Sequence, residues 1–431
     1  MWFNQFYQGW RGRFRSSRHT KAPASPRRCM HPRLEQLEDR TLMSNYSAAT
    51  VSDLIADINA ANAAGGTNTI TLTAPTTSPY VLTTVNNTTN GATALPVISG
   101  GGKKVAADSL TIIGNGDTIE RGTASGTPDF RLFDVASGAS LTLENLTLQN
   151  GLAFGSGSSA EGGAIYNQGT LVLSAVTVQG NVAQGSDGVT KNNGTVSPGN
   201  AAAGGGIWSG SSLTLQNGTL VQNNQAIGDY GFLGGQFEGP IPGGDASGGG
   251  LYLGGGTANL TGVSINNNLA FAGVEASAYG GGLYLAAGTL NLSSDTVDGN
   301  QATAASTGRA SANYSNGGGL FVARGTANLS GDAVNGNVVN GAPGAPYPPQ
   351  NSGSNYGDGG GIYVAAGATV TLCNDTVQNN LAIGVSFSWG GGLYIASKAT
   401  VYIDSFTVAN TINNDADGVP NILGTYILQN C

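Results

Sequence analysis

One repeated stretch constrains the fold of this chain more than any other feature. Residues 249–270 read GGLYLGGGTANLTGVSINNNLA, and the same frame returns at intervals of 31 to 44 residues. The seven copies begin at Gly162, Gly205, Gly249, Gly281, Gly318, Gly360 and Gly391. Each copy opens with Gly-Gly, continues with an aliphatic and an aromatic residue, and then carries an L-x-L pattern. A unit this short cannot bury its own apolar face, so successive copies must stack as a solenoid.

The pieces of each copy indicate strands rather than helices. They are short, rich in apolar and β-branched residues, and bounded by Gly and Asn, which favours a β-solenoid over a helical repeat. Irregular strand patterns begin at Asn68, and residues 141–148 (LTLENLTL) already match the second half of the repeat. We therefore predict an all-β chain of about ten coils stacked roughly 4.8 Å apart.

One amphipathic helix is predicted before the first strands, over residues 50–64. Thr50 and Asp53 have the spacing of a capping box, and Leu54, Ile55, Ile58 and Ala61 form an apolar stripe. A solenoid needs its open apolar end covered, so we interpret this helix as the N-terminal cap.

The charge of the chain is divided between two regions. Residues 1–44 hold nine basic and three acidic residues, whereas residues 45–431 hold eight basic and 22 acidic residues. We interpret residues 1–44 as a disordered basic segment for export or targeting and residues 45–431 as the β-helix. The acidic β-helix lacks a basic stripe for nucleic acid.

The histidines, His19 and His31, both lie in the basic segment, so the β-helix cannot build a catalytic or zinc site that needs His.

The length differences between copies fall between the closing Asn of one copy and the next Gly-Gly. We therefore expect loops of about 8 to 22 residues to leave the solenoid at one corner, where insertions often build a binding face. These segments carry Tyr230, Phe232, Phe237, Tyr279, Tyr314, Tyr347, Tyr356, Phe387 and Trp389. The three cysteines, Cys29, Cys373 and Cys431, do not suggest a disulfide framework.

Alignment of the copies places two kinds of residue in columns. The closing residues predict a structural Asn ladder of Asn181, Asn268, Asn300, Asn337 and Asn380, with Asn223 or Asn224 in the second copy. An Asn side chain tolerates the left-handed turn and can bond to the coils on both sides. The aromatic column, the candidate glycan contact, consists of Tyr166, Trp208, Tyr252, Tyr284, Phe321, Tyr363 and Tyr394. Stacking of these rings on one another is the structural alternative.

Five aspartates are candidates for calcium. Asp295, Asp332 and Asp375 follow a Leu by three positions in consecutive copies, in a column that holds Val176, Val263 and Phe406 elsewhere. We expect them to accept backbone hydrogen bonds in Asx-turns and to face solvent, with calcium binding weakly if at all. Asp415 and Asp417 begin a pattern like a calcium loop, but its twelfth position is Gly424 instead of Glu. We therefore predict no required cofactor and no required metal.

Two sequence patterns resemble known bacterial surface proteins. The Gly-Gly-aliphatic-aromatic opening and the V/I-x-x-N ending resemble the repeats of polymorphic outer-membrane proteins. The stretches DLIADINAANAAGGTNTITL and LTIIGNGDTIERG resemble bacterial right-handed parallel β-helix proteins. The segment LEDRTLMS is similar to the LEPR-XLL motif found near the N-terminus of large surface proteins. These resemblances imply a single-stranded, right-handed, pectate-lyase-like β-helix that is secreted or located at the cell surface.

The sequence leaves two classes of function open. We expect a non-enzymatic, monomeric module for adhesion or for binding a polysaccharide or another surface partner, without a transmembrane span. No catalytic residues are predicted, because the signatures of polygalacturonases are absent. The alternative is a carbohydrate-active enzyme, either a polysaccharide lyase or a glycoside hydrolase with paired carboxylates. Arg121 and Arg131 lie near Asp117, Asp129 and Asp134, and we interpret them as ion pairs of an end coil.

Overall fold

The fold is known from a computed structural model that describes residues 44–99, 108–155, 157–190, 196–231, 241–305, 313–341, 356–384 and 387–431. Contacts divide the chain into two units, Met1–Arg40 and Thr41–Cys431, and all described residues belong to the second. The basic segment and its LEPR-XLL-like motif lie outside the described residues except for Ser44, so the interpretation of that segment stays a prediction.

The predicted parallel β-helix is confirmed. Strands of each coil pair in parallel with the equivalent strands of the next coil, and four long sheets run along the solenoid. The chain passes through the two halves of sheet 1, then through sheets 2, 3 and 4, and returns to sheet 1. A small antiparallel pair, Val189–Thr190 with Val196–Ser197, lies outside this pattern.

The strands divide among the four sheets as follows. The first half of sheet 1 contains Ser44–Ala48, Gly66–Leu72, Asp108–Ile113, Ser140–Gln149, Thr170–Gln179, Ser212–Gln216, Thr257–Thr261, Thr289–Ser293, Thr326–Ser330, Thr369–Cys373, Thr400–Ile403 and Ile427–Leu428. Its second half contains Tyr80–Leu82, Thr118–Arg121, Leu220–Gln222, Ser264–Asn266, Thr296–Asp298, Ala333–Asn335, Thr376–Gln378 and Thr411–Ile412, together with the ends of the two ten-residue strands. Sheet 2 contains Leu152–Gly155, Val182–Gly185, Gln225–Ile227, Leu269–Ala272, Gln301–Ala304, Val338–Asn340 and Leu381–Ile383. Sheet 3 contains Ala160–Glu161, Ala202–Ala203, Ala246–Ser247, Ala278–Tyr279, Tyr314–Asn316, Tyr356–Asp358 and Phe387–Trp389. Sheet 4 contains Phe133–Val135, Ile165–Asn167, Ile207–Ser209, Leu251–Leu253, Leu283–Leu285, Leu320–Val322, Ile362–Val364, Leu393–Ile395 and Ile422–Leu423.

Alternation along the strands of sheets 1 and 4 builds the main core. In Thr289–Ser293, for example, Leu290 and Leu292 are buried while the residues between and beside them reach the surface. Because side chains alternate between the two faces of a strand, the L-x-L pattern of each copy directs both Leu side chains inward. Stacked coils then form one continuous apolar core along the solenoid.

Sheets 2 and 3 pack through small residues. Ala183, Ala226 and Ala270 of sheet 2 are buried against Ala202 and Ala246 of sheet 3, in a cluster made almost entirely of alanine. Because the alanine side chain is small, the backbones of sheets 2 and 3 lie close together, and this edge of each coil is thin. The sequence pattern predicts loops for these segments, and the recurring inward alanines are the signal that could have identified the strands.

A Gly triplet in six of the seven copies, and Gly-Gly-Ala in the first, turns the chain from sheet 3 into sheet 4. Gly248 has a φ of +64°, and a Cβ at this position would lie 2.2 Å from the carbonyl oxygen of Leu251. A Cβ on the next residue, Gly249, would lie 2.3 Å from the carbonyl oxygen of Gly281 in the following coil. The repeat therefore needs glycine both for the left-handed turn and for the close approach of neighbouring coils.

The predicted helix covers the N-terminal end, although one strand, Ser44–Ala48, precedes it in the chain. Helix α1 (Val51–Ala64) begins after the N-cap Thr50, whose side chain forms a capping box with Asp53. Leu54, Ile58 and Ala61 are fully buried in the same core as the first strands, whereas Ile55 is only partly buried. The helix therefore continues the apolar core beyond the first coil.

The C-terminal end differs from the sequence analysis. Cys373 and Cys431 form a disulfide that spans 58 residues and ties the last strand, Ile427–Leu428, to the penultimate full coil. A second helix, α2 (Ser405–Ala409), interrupts the last coil and is capped by Asp404. The sequence did not predict this disulfide because the two cysteines are remote in the chain and come together only through the stacking of coils.

Candidate functional site

The loops leave the solenoid at a single corner, between sheets 2 and 3. Every connection from a sheet 2 strand to the following sheet 3 strand lies there, and the longest, between Gln225–Ile227 and Ala246–Ser247, includes Asp229 and Tyr230. We call this region, residues 152–161 and their equivalents in later coils, the loop corner. Phe232, Phe237 and Tyr347 lie outside the described residues, so their prediction as loop aromatics is not tested.

Several aromatic residues that were assigned to loops lie in sheet 3 instead. Tyr279, Tyr314, Tyr356, Phe387 and Trp389 belong to four of its strands. Loops were expected at these residues because the sheet 3 strands are only two or three residues long and carry little sequence pattern. The backbones of Tyr279, Tyr314 and Tyr356 are therefore fixed by strands on both sides, whereas Phe387–Trp389 is the last strand of the sheet.

Open aromatic rings are concentrated at the loop corner. Phe154 is 47% exposed, Tyr230 is 64% exposed and Tyr314 is 41% exposed. Tyr230 stacks on Phe271 of sheet 2 with ring centroids 6.0 Å apart, and Tyr314 stacks on Tyr356 at 5.5 Å. Each stacked pair holds one exposed tyrosine in place while the rest of its ring remains accessible to a ligand.

The aromatic column of sheet 4 is arranged differently. Its seven rings, Tyr166, Trp208, Tyr252, Tyr284, Phe321, Tyr363 and Tyr394, stack in chain order with centroids 4.5 to 6.2 Å apart and planes within 15° of parallel. The guanidinium of Arg131 lies 5.0 Å from the centre of the Tyr166 ring, and Leu423 pairs with Tyr394 at the other end. The column therefore presents ring edges and hydroxyl groups to the surface while the ring faces are covered.

The Asn ladder forms through side chain and backbone together. In Asn268, both the backbone N–H and the side-chain amide donate to Oδ1 of Asn300, at 3.0 and 2.9 Å, and the side chain also donates to the carbonyl of Val221. The same contacts join Asn181, Asn224, Asn268, Asn300, Asn337, Asn380 and Asn414, all of them buried. Asn224, rather than Asn223, is the member in the second copy.

The left-handed turn beside the ladder belongs to a different residue from the one expected. The residue before each ladder Asn has the positive φ, for example Asn267 at +54° and Gly299 at +64°. Each turn therefore uses an exposed Asn or a Gly for its backbone shape and a buried Asn for its hydrogen bonds. The sequence pattern did not separate these roles, because Asn-Asn occurs at several of the turns.

The three column aspartates are buried, contrary to the prediction that they face solvent. Asp295, Asp332 and Asp375 are at most 2% exposed. The predicted Asx-turn bonds are present, since one carboxylate oxygen of each accepts the backbone N–H two residues earlier, from Ser293, Ser330 and Cys373 at 2.7 to 2.9 Å. The other oxygen reaches across to the preceding coil, and this second bond draws the side chain inward. Val176 and Val263 occupy the same inward column, as expected, but Thr407 takes the place assigned to Phe406, which is exposed.

The remaining calcium candidates do not form a cluster. Asp415 is exposed, and Asp417 accepts a hydrogen bond from the hydroxyl of Ser388 at 3.1 Å. Within the described ranges, no three His, Cys, Asp or Glu side chains meet in an arrangement that could hold a metal ion. The oxygens of the three column aspartates point to backbone N–H groups, which is the geometry of hydrogen bonding rather than of a cation site.

One acidic cluster lies at the start of the aromatic column. Asp134 and Glu161 lie near the buried guanidinium of Arg131, and burial raises the pKa of both carboxyl groups. Asp134 is fully buried, and both of its oxygens accept hydrogen bonds from the Asn90 side chain at 3.0 and 3.2 Å. Of the ion pairs expected here between described residues, that between Arg121 and Asp129 is present at 3.1 Å, whereas Arg131 forms none with Asp117 or Asp134.

A shallow channel of about 330 Å³ follows the other edge of sheet 2. It crosses three coils and is lined by Asn223, Gln225, Asn267, Asn268, Leu269, Gly299 and Gln301. Amide groups dominate the lining, and each can both donate and accept a hydrogen bond. The channel therefore offers uncharged polar groups at the regular spacing of the coils.

Comparisons with known proteins give no further assignment. No family model matches the chain, and neither a curated protein nor a solved structure is similar to it. Among the residues that the structure describes, no helix has both the length and the apolar character needed to cross a membrane.

Proposed function

We propose that this chain is an exported or cell-surface β-helix module that binds a glycan or another surface partner at its loop corner and is not an enzyme. The observation that carries the proposal is the concentration of open aromatic rings at that corner, with Tyr230 and Tyr314 each held by a second ring. A rigid ring with an accessible face suits a flat sugar, because ordering such a side chain costs little conformational entropy.

The amide channel beside sheet 2 supports the same ligand class. A sugar hydroxyl both donates and accepts, as do the side chains of Asn223, Gln225 and Gln301 that line the channel. The channel and the loop corner lie on the two edges of the same short sheet, so an extended polysaccharide could contact both.

Export is supported by the disulfide between Cys373 and Cys431. Structural disulfides persist in oxidising compartments and are rare in the cytosol of most organisms. The similarity of residues 37–44 to the LEPR-XLL motif points to the same location. We further propose that the repeats are related to those of polymorphic outer-membrane proteins, because their Gly-Gly-aliphatic-aromatic opening and V/I-x-x-N ending resemble those repeats.

A carbohydrate-active enzyme is the second candidate, and the cluster of Arg131, Asp134 and Glu161 is the observation that favours it. Two carboxyl groups with raised pKa values beside an arginine are a combination that acid–base catalysis uses. The full burial of Asp134 and its two bonds to Asn90 favour a structural role over contact with a substrate.

A glycan array screened with the full chain, followed by a reducing-sugar assay on every glycan that binds, separates the two candidates. We expect binding without release of reducing ends. Tyr314→Ala should weaken binding about tenfold, consistent with the loss of one aromatic contact. Tyr426→Ala, which removes a tyrosine of similar exposure (38%) near the C-terminus, is the matched control and should bind normally. Turnover that is lost in Glu161→Gln would establish the enzyme instead.

A further inference from the structure

The buried column of Asp295, Asp332 and Asp375 has a feature that binding at the loop corner does not use. One oxygen of each carboxylate accepts the backbone N–H of the equivalent residue one coil earlier. Val263 donates to Asp295, Asp295 to Asp332, and Asp332 to Asp375, at 2.7 to 2.8 Å. With the bond inside each coil, every carboxylate accepts two backbone hydrogen bonds. Three carboxyl groups are thus stacked in line, one per coil.

No basic side chain compensates this column in the described part of the chain. The groups that face it are backbone N–H groups, the hydroxyl of Thr407 on α2, and the carboxylate of Asp404, which adds a like charge beside Asp375. Cys373 is in a disulfide and does not titrate. Carboxylates one coil apart are separated by roughly 4.8 Å and repel one another strongly when all are ionised in a buried position.

Protonation relieves both the burial of charge and this repulsion. Burial raises the pKa of Asp295 to about 6 and the pKa of Asp332 to about 7, against the opposing effect of the backbone hydrogen bonds. Burial likewise raises the pKa of Asp375 to about 7. In the unfolded chain the same carboxyl groups have a pKa of about 3.9.

The chain itself shows that an acid is not required at this position. In an earlier coil Thr219 occupies the column and accepts the N–H of Val176 through its hydroxyl at 3.3 Å, and Thr407 does the same for Asp375 at 2.9 Å. A neutral hydroxyl therefore satisfies the same donor. The three consecutive aspartates add a property that threonine lacks, which is the ability to take up protons near neutral pH.

We propose that Asp295, Asp332 and Asp375 form a proton-binding column that makes the C-terminal half of the solenoid more stable in mild acid than in mild alkali. Because the folded state holds these protons more tightly than the unfolded state, stability rises as the pH falls from about 7 towards about 4. Above about pH 8 the column is ionised and this contribution is lost. The direction is opposite to ordinary acid denaturation, in which native carboxylates resist protonation.

The test compares the wild type with the triple variant Asp295→Thr, Asp332→Thr, Asp375→Thr, which keeps the acceptors and removes the titrating groups. The melting temperature of the wild type should rise by several degrees between about pH 8 and about pH 5, and the triple variant should lose most of that rise. Asp358→Asn is the matched control, because burial raises the pKa of Asp358 to about 7 outside the column. This control should keep most of the rise.

Proton uptake measured by titration of the folded proteins provides a readout that does not depend on equal stability. The wild type should bind about three more protons than the triple variant between about pH 8 and about pH 5. If the triple variant does not fold, Asp332→Thr alone should bind about one proton fewer than the wild type. A variant whose proton uptake and pH dependence equal those of the wild type would overturn the proposal.

Discussion

The aromatic column of sheet 4, the Asn ladder and the aspartate column together are called the wall here, and tyrosine residues of the wall and of the loop corner differ in what covers their rings. In the wall, Tyr284 lies between Tyr252 and Phe321, with centroids 5.1 and 5.2 Å away and nearly parallel planes. At the loop corner, Tyr314 stacks on Tyr356 on one side, while Ser277, a small residue, is its neighbour in the preceding coil. The same residue type is therefore part of a closed stack in one region and an accessible surface in the other.

This difference shows how a repeat protein separates stability from binding. Residues in the same position of every coil become one another's partners, as in the Asn ladder, and their bonding groups are used within the fold. Residues at a position that changes from coil to coil, such as Tyr230, are covered by a neighbouring ring on one side only and keep an exposed surface. Changes to the wall should therefore lower stability, and changes to the corner should lower binding.

The largest effect is expected from Asn300→Ala, which removes a member from the middle of the Asn ladder. The substitution deletes two bonds that Oδ1 accepts from Asn268 and two that the amide donates, to Ile265 and Asn337. At roughly 0.5–1.5 kcal/mol for each bond, it should cost about 3 kcal/mol of stability.

The neighbouring turn residue Asn267 provides the control for this experiment. Asn267→Ala changes an exposed residue with a φ of +54° and should cost only about 1 kcal/mol, the penalty of a left-handed backbone for Ala. Urea unfolding monitored by circular dichroism measures both variants. Equal losses for Asn300→Ala and Asn267→Ala would show that the ladder is not a main source of stability.

A smaller loss is expected from Tyr284→Ala in the aromatic column. The substitution removes two stacking contacts, each worth about 0.5–1.5 kcal/mol, and should lower stability by about 2 kcal/mol. Thermal melting and binding to the best glycan of the array should be measured on the same preparation. A variant that melts normally but no longer binds would identify the column as the ligand site and reverse the comparison.

The smallest effect is expected from calcium. Because the oxygens of Asp295, Asp332 and Asp375 already accept backbone hydrogen bonds, calcium should change the melting temperature by no more than about one degree relative to a chelator, since an ion that does not bind cannot stabilise. A rise of many degrees that disappears in Asp332→Asn would establish a cation site in the wall.

The sequence predicted the parts of the fold that depend on periodicity. The L-x-L pattern, the Gly-Gly turn and the closing Asn each recur once per copy, so the coils and the ladder could be predicted before the structure, and the helical period of residues 50–64 predicted the capping helix. Sheets 2 and 3 were not predicted, because strands of two to four residues around an inward alanine give little pattern in a single copy. Stacking of the copies, which makes those alanines a column, is a tertiary effect.

The environment of individual side chains was harder to predict. The aspartate column was expected to face solvent, because three adjacent ionised carboxylates repel one another strongly when they are buried without a cation. The structure offsets part of that cost with two backbone hydrogen bonds for each carboxylate, and the sequence gives no sign of the bond between coils. In the same way, the pairing of Cys373 with Cys431 depends on where the last strand returns to the solenoid.

The separation of wall and corner is tested most directly by measuring stability and glycan affinity together in two variants. Tyr230→Ala with Tyr314→Ala removes two exposed rings and should lower stability by no more than about 2 kcal/mol, the worth of its two stacking contacts, which is less than the loss expected for Asn300→Ala. Its affinity for the glycan should fall at least tenfold. Asn300→Ala should show the reverse, a clear loss of stability with unchanged affinity below its melting temperature. Affinity that persists in the tyrosine double variant and falls in Asn300→Ala would contradict this account.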